Sequence, residues 1–262
     1  MDLRSILDAF ASGALSLDEA EKQVSIHAIE KLGEIAKIDV GREVRRGIPE
    51  IIFAEGKEHK DVIRIASAGA KRNGQVVVSR IRKNRLGRLS NALRKKGLLV
   101  EVGRNSTTLL AADKSFRRKM DGSTIGIVAA GTSDIGVAEE ARLVAEAMGC
   151  DSVVSYDVGI AGMHRLFPAI KDMLAKRTGA IVVVAGMEGA LASVVASMVD
   201  VPVIGVPTSI GYGFGANGVA ALASMLQSCT LGLAVVNIDN GVGAGAYAAS
   251  IARKMKKQNS EK

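Results

Sequence analysis

Aromatic residues are scarce in this chain: 3% of it is Phe, Tyr or Trp, and Trp is absent. A core built on large rings is excluded, so small residues, 29 glycines among them, must do much of the packing. Small residues let elements approach closely and let backbone amides reach a ligand. Cysteine is rarer still. Cys150 and Cys229 are too few for a disulfide framework. No secretion signal is expected either, because the opening MDLRSILDAFASGALSLDEAE carries acids where a secretory signal carries a hydrophobic run. The apolar stretches at 180–199 and 218–238 are broken by Gly, Ser, Glu188, Gln227 and Asn237. A membrane-spanning helix needs about 20 mostly apolar residues. Buried strand–helix pairs in a soluble, cytoplasmic chain are therefore expected, with no membrane partner.

What is present is charge, unevenly spread. The net charge is +8; residues 1–122 carry 25 Lys/Arg against 16 Asp/Glu, and residues 123–262 carry 10 against 11. Such asymmetry points to two domains with different tasks. The expected division is a helical and small basic α/β domain over 1–120 and a second domain over 121–262. A basic domain raises the question of nucleic acid. Stacking residues are nearly missing from it, with Phe10, Phe53 and Phe116 scattered, so no nucleic-acid partner is expected.

Residues 1–35 read as helical, with Leu3, Ile6, Leu7 and Phe10 at helical spacing and Ser16 and Glu19 at the spacing of a capping box. From Arg42 to Thr108, strands at IPEIIFAEG, QVVVSRI and LLVEV alternate with helices, which suggests a small α/β unit. The run RIRKNRLGR at 80–88 carries five basic residues and reads either as a solvated face or as a phosphate-binding or inter-domain surface. Residues 111–122 read as a linker. Beyond it, TIGIVAAG, DSVVSYDVG, AIVVVAG, VPVIGVP and LAVVNID alternate with amphipathic helices. Near-continuous Val/Ile/Ala strands imply a parallel sheet covered on both faces, a three-layer Rossmann-like α/β domain. The tail KKQNSEK is expected to fray.

Several motifs fall at strand ends, where open α/β sheets bind ligands. Gly131-Thr132-Ser133-Asp134 lies between a strand and its helix, a place for an anion or simply for a helix cap. Asp157 and the segment Gly159–Arg165 follow the second strand, and His164 beside Arg165 is either structural or functional. Glu188, in AGMEGALAS after an apolar strand, is expected to be partly withdrawn from water, which would raise its pKa and suit it to proton transfer. Gly211-Tyr212-Gly213-Phe214-Gly215 is a dense glycine loop suited to closing over a ligand. Cys150 reads as buried and inert. Cys229 follows a helix, whose C-terminus disfavours a thiolate, and on the residues alone its role stays open.

The stretches IGIVAAGTSD, GMHRLF, VVVAGMEGALASVVASMVDVPVIGVP and SMLQSCTLGLAVVNIDNGVGAGAYAA resemble the purine-biosynthetic carboxylases acting on phosphoribosyl-aminoimidazole. Two departures stand out: Gly162-Met163 replaces a serine-alanine before His-Arg, and Cys229-Thr230-Leu231 replaces a methionine-proline. With Arg45–Glu50, Ala54–Lys57, Asp157–Gly162, Val206–Gly213 and Val236–Gly241, the whole chain resembles more closely the LarB family of pyridinium biscarboxylic acid mononucleotide synthases. Leu231 departs from that family's usual proline.

This resemblance implies carboxylation of nicotinic acid adenine dinucleotide by carbon dioxide or bicarbonate, followed by cleavage of the phosphoanhydride and release of AMP. It implies Cys229 as nucleophile and Glu188 as the proton-transfer group. Thr132, Ser133, Asp134, Asp157, His164, Arg165, Gly186, Met187, Gly211, Tyr212 and Gly213 would then bind substrate. No tightly bound cofactor is expected; Mg²⁺ can assist phosphoanhydride cleavage, although no metal-ligand cluster is visible. By analogy the chain forms a homo-oligomer, an octamer in related carboxylases. The alternatives are an ordinary phosphoribosyl-aminoimidazole carboxylase, which needs neither the cysteine nor the first domain, or a basic nucleic-acid-binding module.

Overall fold

A computed structural model describes residues 3–25, 29–32, 36–39 and 45–260, the side chains of residues 29–39, Ala216, Asn259 and Ser260 aside. The chain divides into two compact units, one of residues 1–101 and 110–117, the other of 102–109 and 118–262.

In the first unit, α1 (Leu3–Ala11) and α2 (Leu17–Val24) lie at the start. The capping box at α2 is present: the Glu19 backbone N–H donates to Ser16 Oγ, and the Ser16 N–H donates to Glu19 Oε2 at 2.8 Å. The helical expectation fails further on. β1 (Ile29–Leu32) and β2 (Ala36–Asp39) pair antiparallel; Ile29 and Ile38 favour extended backbone, and Gly33 between the strands disfavours helix. A four-stranded sheet follows, made of β3 (Ile51–Phe53), β4 (Gln75–Ser79), β5 (Leu98–Val102) and β6 (Leu109–Asp113), in the order β3-β4-β6-β5. α3 (His59–Asn73) joins β3 to β4, and α4 (Lys83–Lys95) follows β4. β6 corrects the reading of 111–122 as linker from its first residue. The buried Leu109, Leu110 and Ala111 make a strand that the polar DKSFRRKMDG after it had disguised.

The second unit holds a five-stranded parallel sheet in the order β11-β10-β9-β7-β8, built from β7 (Thr124–Ala129), β8 (Asp151–Ser155), β9 (Ile181–Ala185), β10 (Val203–Pro207) and β11 (Leu233–Val235). The intervening helices are α5 (Ile135–Ala147), α6 (Leu166–Ala175), α7 (Ala190–Met198) and α8 (Val219–Leu226), and α9 (Gly241–Ser260) closes the chain. The α/β expectation holds: a parallel sheet clad on both faces. Every residue of β9 and β10 is buried. Alternation along β9 sends Ile181, Val183 and Ala185 into one cluster with Leu166, Met173, Leu191, Val195 and Met225 of α6, α7 and α8. α9 packs on α5 across the other face. There a Cβ on Gly245 would stand 2.4 Å from the Ala141 carbonyl oxygen, so small residues set the helix spacing as the composition required. α9 continues to Ser260, through most of the tail expected to fray.

β7 and β9 are neighbours, and the chain runs from β7 outward to β8 on one side before returning to β9 on the other. The switch point of the sheet, where doubly wound folds bind ligands, lies at their carboxyl ends.

Candidate active site

Four loops of the second unit gather at the carboxyl ends of its strands: 130–134 after β7, 156–165 after β8, 186–189 after β9 and 208–218 after β10. Residues 236–240 after β11 join them. Backbone strain concentrates at this end. Asp157, Met187, Asn217 and Asp239, none of them glycine, hold φ values of 57°, 52°, 61° and 55°. Such left-handed residues cost free energy and persist where the surroundings impose them, characteristically at functional sites.

Asp134 ties these loops together. It is buried, accepts from the Thr208 hydroxyl at 2.7 Å, and accepts from the Gly131 N–H at 2.9 Å. Burial raises its carboxyl above the ordinary value; the hydrogen bonds from Thr208 and Gly131 oppose that rise, and the Asp239 charge adds to it. Asp239 in turn accepts from the Ser209 N–H at 2.8 Å. Asp134 was expected at the ligand. Its oxygens are instead engaged in holding the β7 and β10 loops, while Thr132 and Ser133 stand exposed at the start of α5. Thr208 and Asp239 were not singled out individually from the sequence. They sit 74 and 105 residues beyond Asp134, with no local pattern linking them to it.

Gly186 explains a second close approach. A Cβ there would lie 2.2 Å from the Ile210 carbonyl oxygen and 2.7 Å from Thr208 Oγ1. Only glycine lets the β9 loop lie against the β10 loop, where the Met187 N–H donates to Ile210 O at 3.0 Å. The turn at Met187 then carries Glu188 away from the strand end. Glu188 is exposed, and its carboxylate makes no hydrogen bond or ion pair with the described residues. The expectation of a Glu withdrawn from water is not met within one chain, because the left-handed Met187 turns it outward.

After β8, Arg165 forms an ion pair with Asp157. Gly162 makes room for it: a Cβ there would meet the Arg165 guanidinium at 2.7 Å. His164 is exposed beside them. Upstream, Glu139 of α5 accepts from Arg142 at 2.7 Å, from the Arg104 N–H at 2.9 Å and from the Tyr156 hydroxyl, fixing the residue before Asp157. Burial pushes Glu139 up, but these hydrogen bonds outweigh it and hold the carboxyl below its ordinary value. Burial and the Glu139 charge raise the Tyr156 hydroxyl well above its ordinary value. Arg104 also lies over the Tyr156 ring, 5.8 Å from its centroid.

The 211–215 loop is open. Tyr212 and Phe214 are wholly exposed, beside exposed Met187 and Ile210. Clustered apolar side chains at a site rim mark a surface that something covers.

The two cysteines differ. Cys150 is buried, and desolvation pushes its thiol up to about 11. Cys229 is a free, exposed thiol in the connection from α8 to β11. That connection enters the sheet at the amino ends of the strands, where the Val203 N–H donates to Gly232 O at 3.0 Å. Ser228 and Thr230 anchor it to α7: the Ser193 hydroxyl donates to Ser228 Oγ at 2.9 Å, and the Thr230 hydroxyl reaches Ser193 O at 3.4 Å. The fold therefore brings Asp134, Asp157, Arg165, Met187, Glu188 and the 211–215 loop to one end of the sheet and puts Cys229 at the other. Among the described residues, no group of three or more His, Cys, Asp or Glu side chains gathers as a metal site, and no helix is long and apolar enough to cross a membrane.

Residues 124–262 match the family model for AIR carboxylase, and residues 29–110 match that for the LarB/PurE-like N-terminal domain. An uncharacterized protein of Methanocaldococcus jannaschii is 46% identical over 259 residues, spanning 98% of this chain and 99% of its own. N5-carboxyaminoimidazole ribonucleotide mutases are also similar. That of Thermotoga maritima is 35% identical over 134 residues, 48% of this chain and 73% of its own. That of Pyrococcus horikoshii is 32% identical over 138 residues, 51% and 74%. The relation to the mutases thus covers about half of the chain, and a carboxylase-type enzyme is what these matches support.

Proposed function

Because the chain belongs to the LarB family, with an AIR carboxylase domain as its second half, we propose that it carboxylates the pyridinium ring of nicotinic acid adenine dinucleotide. Carbon dioxide or bicarbonate supplies the carbon. Cleavage of the phosphoanhydride releases AMP and leaves pyridinium-3,5-biscarboxylic acid mononucleotide, the starting compound of nickel-pincer nucleotide synthesis. The observation that carries this reading is the contrast between the cysteines: one thiol is sealed in the core, and Cys229 is free and exposed on an anchored loop.

The chemistry needs such a thiol. A pyridinium carbon is too electron-poor to attack carbon dioxide. Addition of the Cys229 thiolate removes the positive charge and turns the ring into an enamine, whose carbon attacks carbon dioxide. Glu188 takes the ring proton from that carbon, and expulsion of the thiolate restores aromaticity. Water then cleaves the phosphoanhydride. His164 and Arg165 face oxyanions of the substrate, and the Thr132–Ser133 hydroxyls and the glycine loop hold the ring carboxylate or ribose.

Cys229 and Glu188 lie at opposite ends of one sheet, so the reading requires two copies: the Cys229 loop of one meets the strand ends of another. The exposed Tyr212, Phe214, Leu226 and Leu231 favour such a homo-oligomer.

The test is to incubate the protein with the dinucleotide and labelled bicarbonate and weigh the products. A labelled dicarboxylate mononucleotide with AMP is expected, together with a ring adduct on Cys229. Full activity in Cys229→Ala would refute the mechanism, and label entering aminoimidazole ribonucleotide instead would refute the substrate.

A further inference from the structure

The basic run at 80–88 takes no part in that chemistry, and the structure gives it a shape. β3 and β4 are parallel neighbours with Phe53 level with Ser79, so both chains leave the sheet at the same end. Gly56, at φ 72°, turns the first toward α3, and Arg80, at φ 57°, turns the second toward α4. Between the two helix starts lies an open cleft of about 560 Å³, walled by Lys57, Glu58, His59, Lys60, Arg82 and Arg85. Neither helix has a side-chain cap, and α4 has no acid in its first turn. Glu58 pairs with Lys60 at 3.2 Å, and the Lys57 ammonium is engaged with the Phe53 carbonyl at 2.8 Å. The side chains of His59, Arg82 and Arg85 have no hydrogen-bond or ion-pair partner among the described residues. Arg82 and Arg85 have no acid near them in sequence, since residues 62–100 hold eleven Lys/Arg and no Asp/Glu, whereas Glu58 and Asp61 flank His59.

We propose that this cleft binds the phosphate or pyrophosphate group of a nucleotide. Two uncapped helix starts present amide donors and the positive ends of their dipoles. Arg82 and Arg85 add two guanidinium forks free to grip phosphate oxygens, and His59 adds a third donor. The two free guanidinium groups and the His59 ring meet at one open concavity rather than forming a track along a polymer. The phosphate comes either from the phosphoanhydride of the dinucleotide, a source that rests on the function proposed above, or from a free phosphate compound.

Calorimetric titration of the full chain with inorganic phosphate, inorganic pyrophosphate, AMP and the dinucleotide tests this. Arg82→Ala with Arg85→Ala weakens pyrophosphate binding about tenfold or more, the scale of a lost charge-assisted bond. Lys95→Ala with Lys96→Ala removes equal charge at the far end of α4 and leaves binding within about twofold. Pyrophosphate that displaces the dinucleotide identifies its phosphoanhydride as the occupant, and binding without displacement identifies a free phosphate ligand. The proposal is overturned if pyrophosphate does not bind the parent protein, or if both double variants weaken it equally. Formation of the Cys229 adduct with nicotinic acid riboside, which carries no phosphate, reads the carboxylation chemistry independently of the cleft.

Discussion

The Thr208 hydroxyl donates to Asp134 Oδ1 at 2.7 Å, and this bond between two buried residues locks the loop after β10 to the loop after β7. It also opposes the rise that burial imposes on the Asp134 carboxyl. Thr208→Val keeps the shape and removes the donor, leaving a buried oxygen unpaired at a cost of about 1–3 kcal/mol. A carboxyl raised in the folded state binds its proton more readily there than in the unfolded chain. Its contribution to stability is complete below the unfolded pKa and fades as pH rises through the folded value. Thr208→Val moves that fading to higher pH, and Asp134→Asn abolishes it. Melting temperatures measured from about pH 4 to 7 check both, and parallel curves for all three proteins would contradict the assignment.

Glu139 predicts the opposite slope. Its bonds to Arg142, Tyr156 and the Arg104 amide outweigh its burial and hold the carboxyl low. The stability it contributes is present above the unfolded pKa and is lost as pH falls through the lowered folded value. Glu139→Gln keeps one acceptor but loses the charge, so unfolding in urea near neutrality should show a loss of about 1–3 kcal/mol. The deficit shrinks in acid, where the parent carboxylate is itself protonated. An equal deficit at both pH values would mean that shape, not charge, is what Glu139 supplies.

Gly162 keeps Arg165 on Asp157. An added Cβ would meet the tip of a flexible side chain at 2.7 Å rather than backbone, so Gly162→Ala is expected to cost under about 1 kcal/mol. The guanidinium must nevertheless move. If Arg165 holds substrate oxyanions, KM rises about tenfold with kcat little changed, the mark of lost uniform binding. A fall in kcat at constant KM would instead put Arg165 at the chemical step.

The sheet was legible because Val/Ile/Ala runs bounded by glycine have few other fates, and the Ser16–Glu19 box was legible because its two residues are three apart. β6 was hidden by the charged segment after it. β1 was hidden by the helical pattern before it. The Asp134–Thr208 bond carries no local sign, since its partners are far apart in sequence and meet only when β7, β9 and β10 align. The outward turn of Glu188 depends on a left-handed Met187, a conformation that the residue type argues against.

The position of Cys229 yields the most demanding prediction. Its loop leads into the amino end of β11, while Glu188 follows the carboxyl end of β9, and in a parallel sheet those ends face opposite ways. If both residues act on one ring, each site draws them from different copies. Cys229→Ala and Glu188→Gln should then each be inactive alone, yet mixing the two after dissociation and reassembly should restore activity. With random assembly, about a quarter of the sites receive an intact cysteine from one copy and an intact glutamate from another, so about a quarter of parental activity is expected. Both variants sit at exposed positions, so neither should disturb folding. Adduct formation in the mixture, read by mass spectrometry, must fall on the Glu188→Gln chains, the ones that retain the thiol. No recovery on mixing, with both variants assembled normally, would show that the two residues do not share a site.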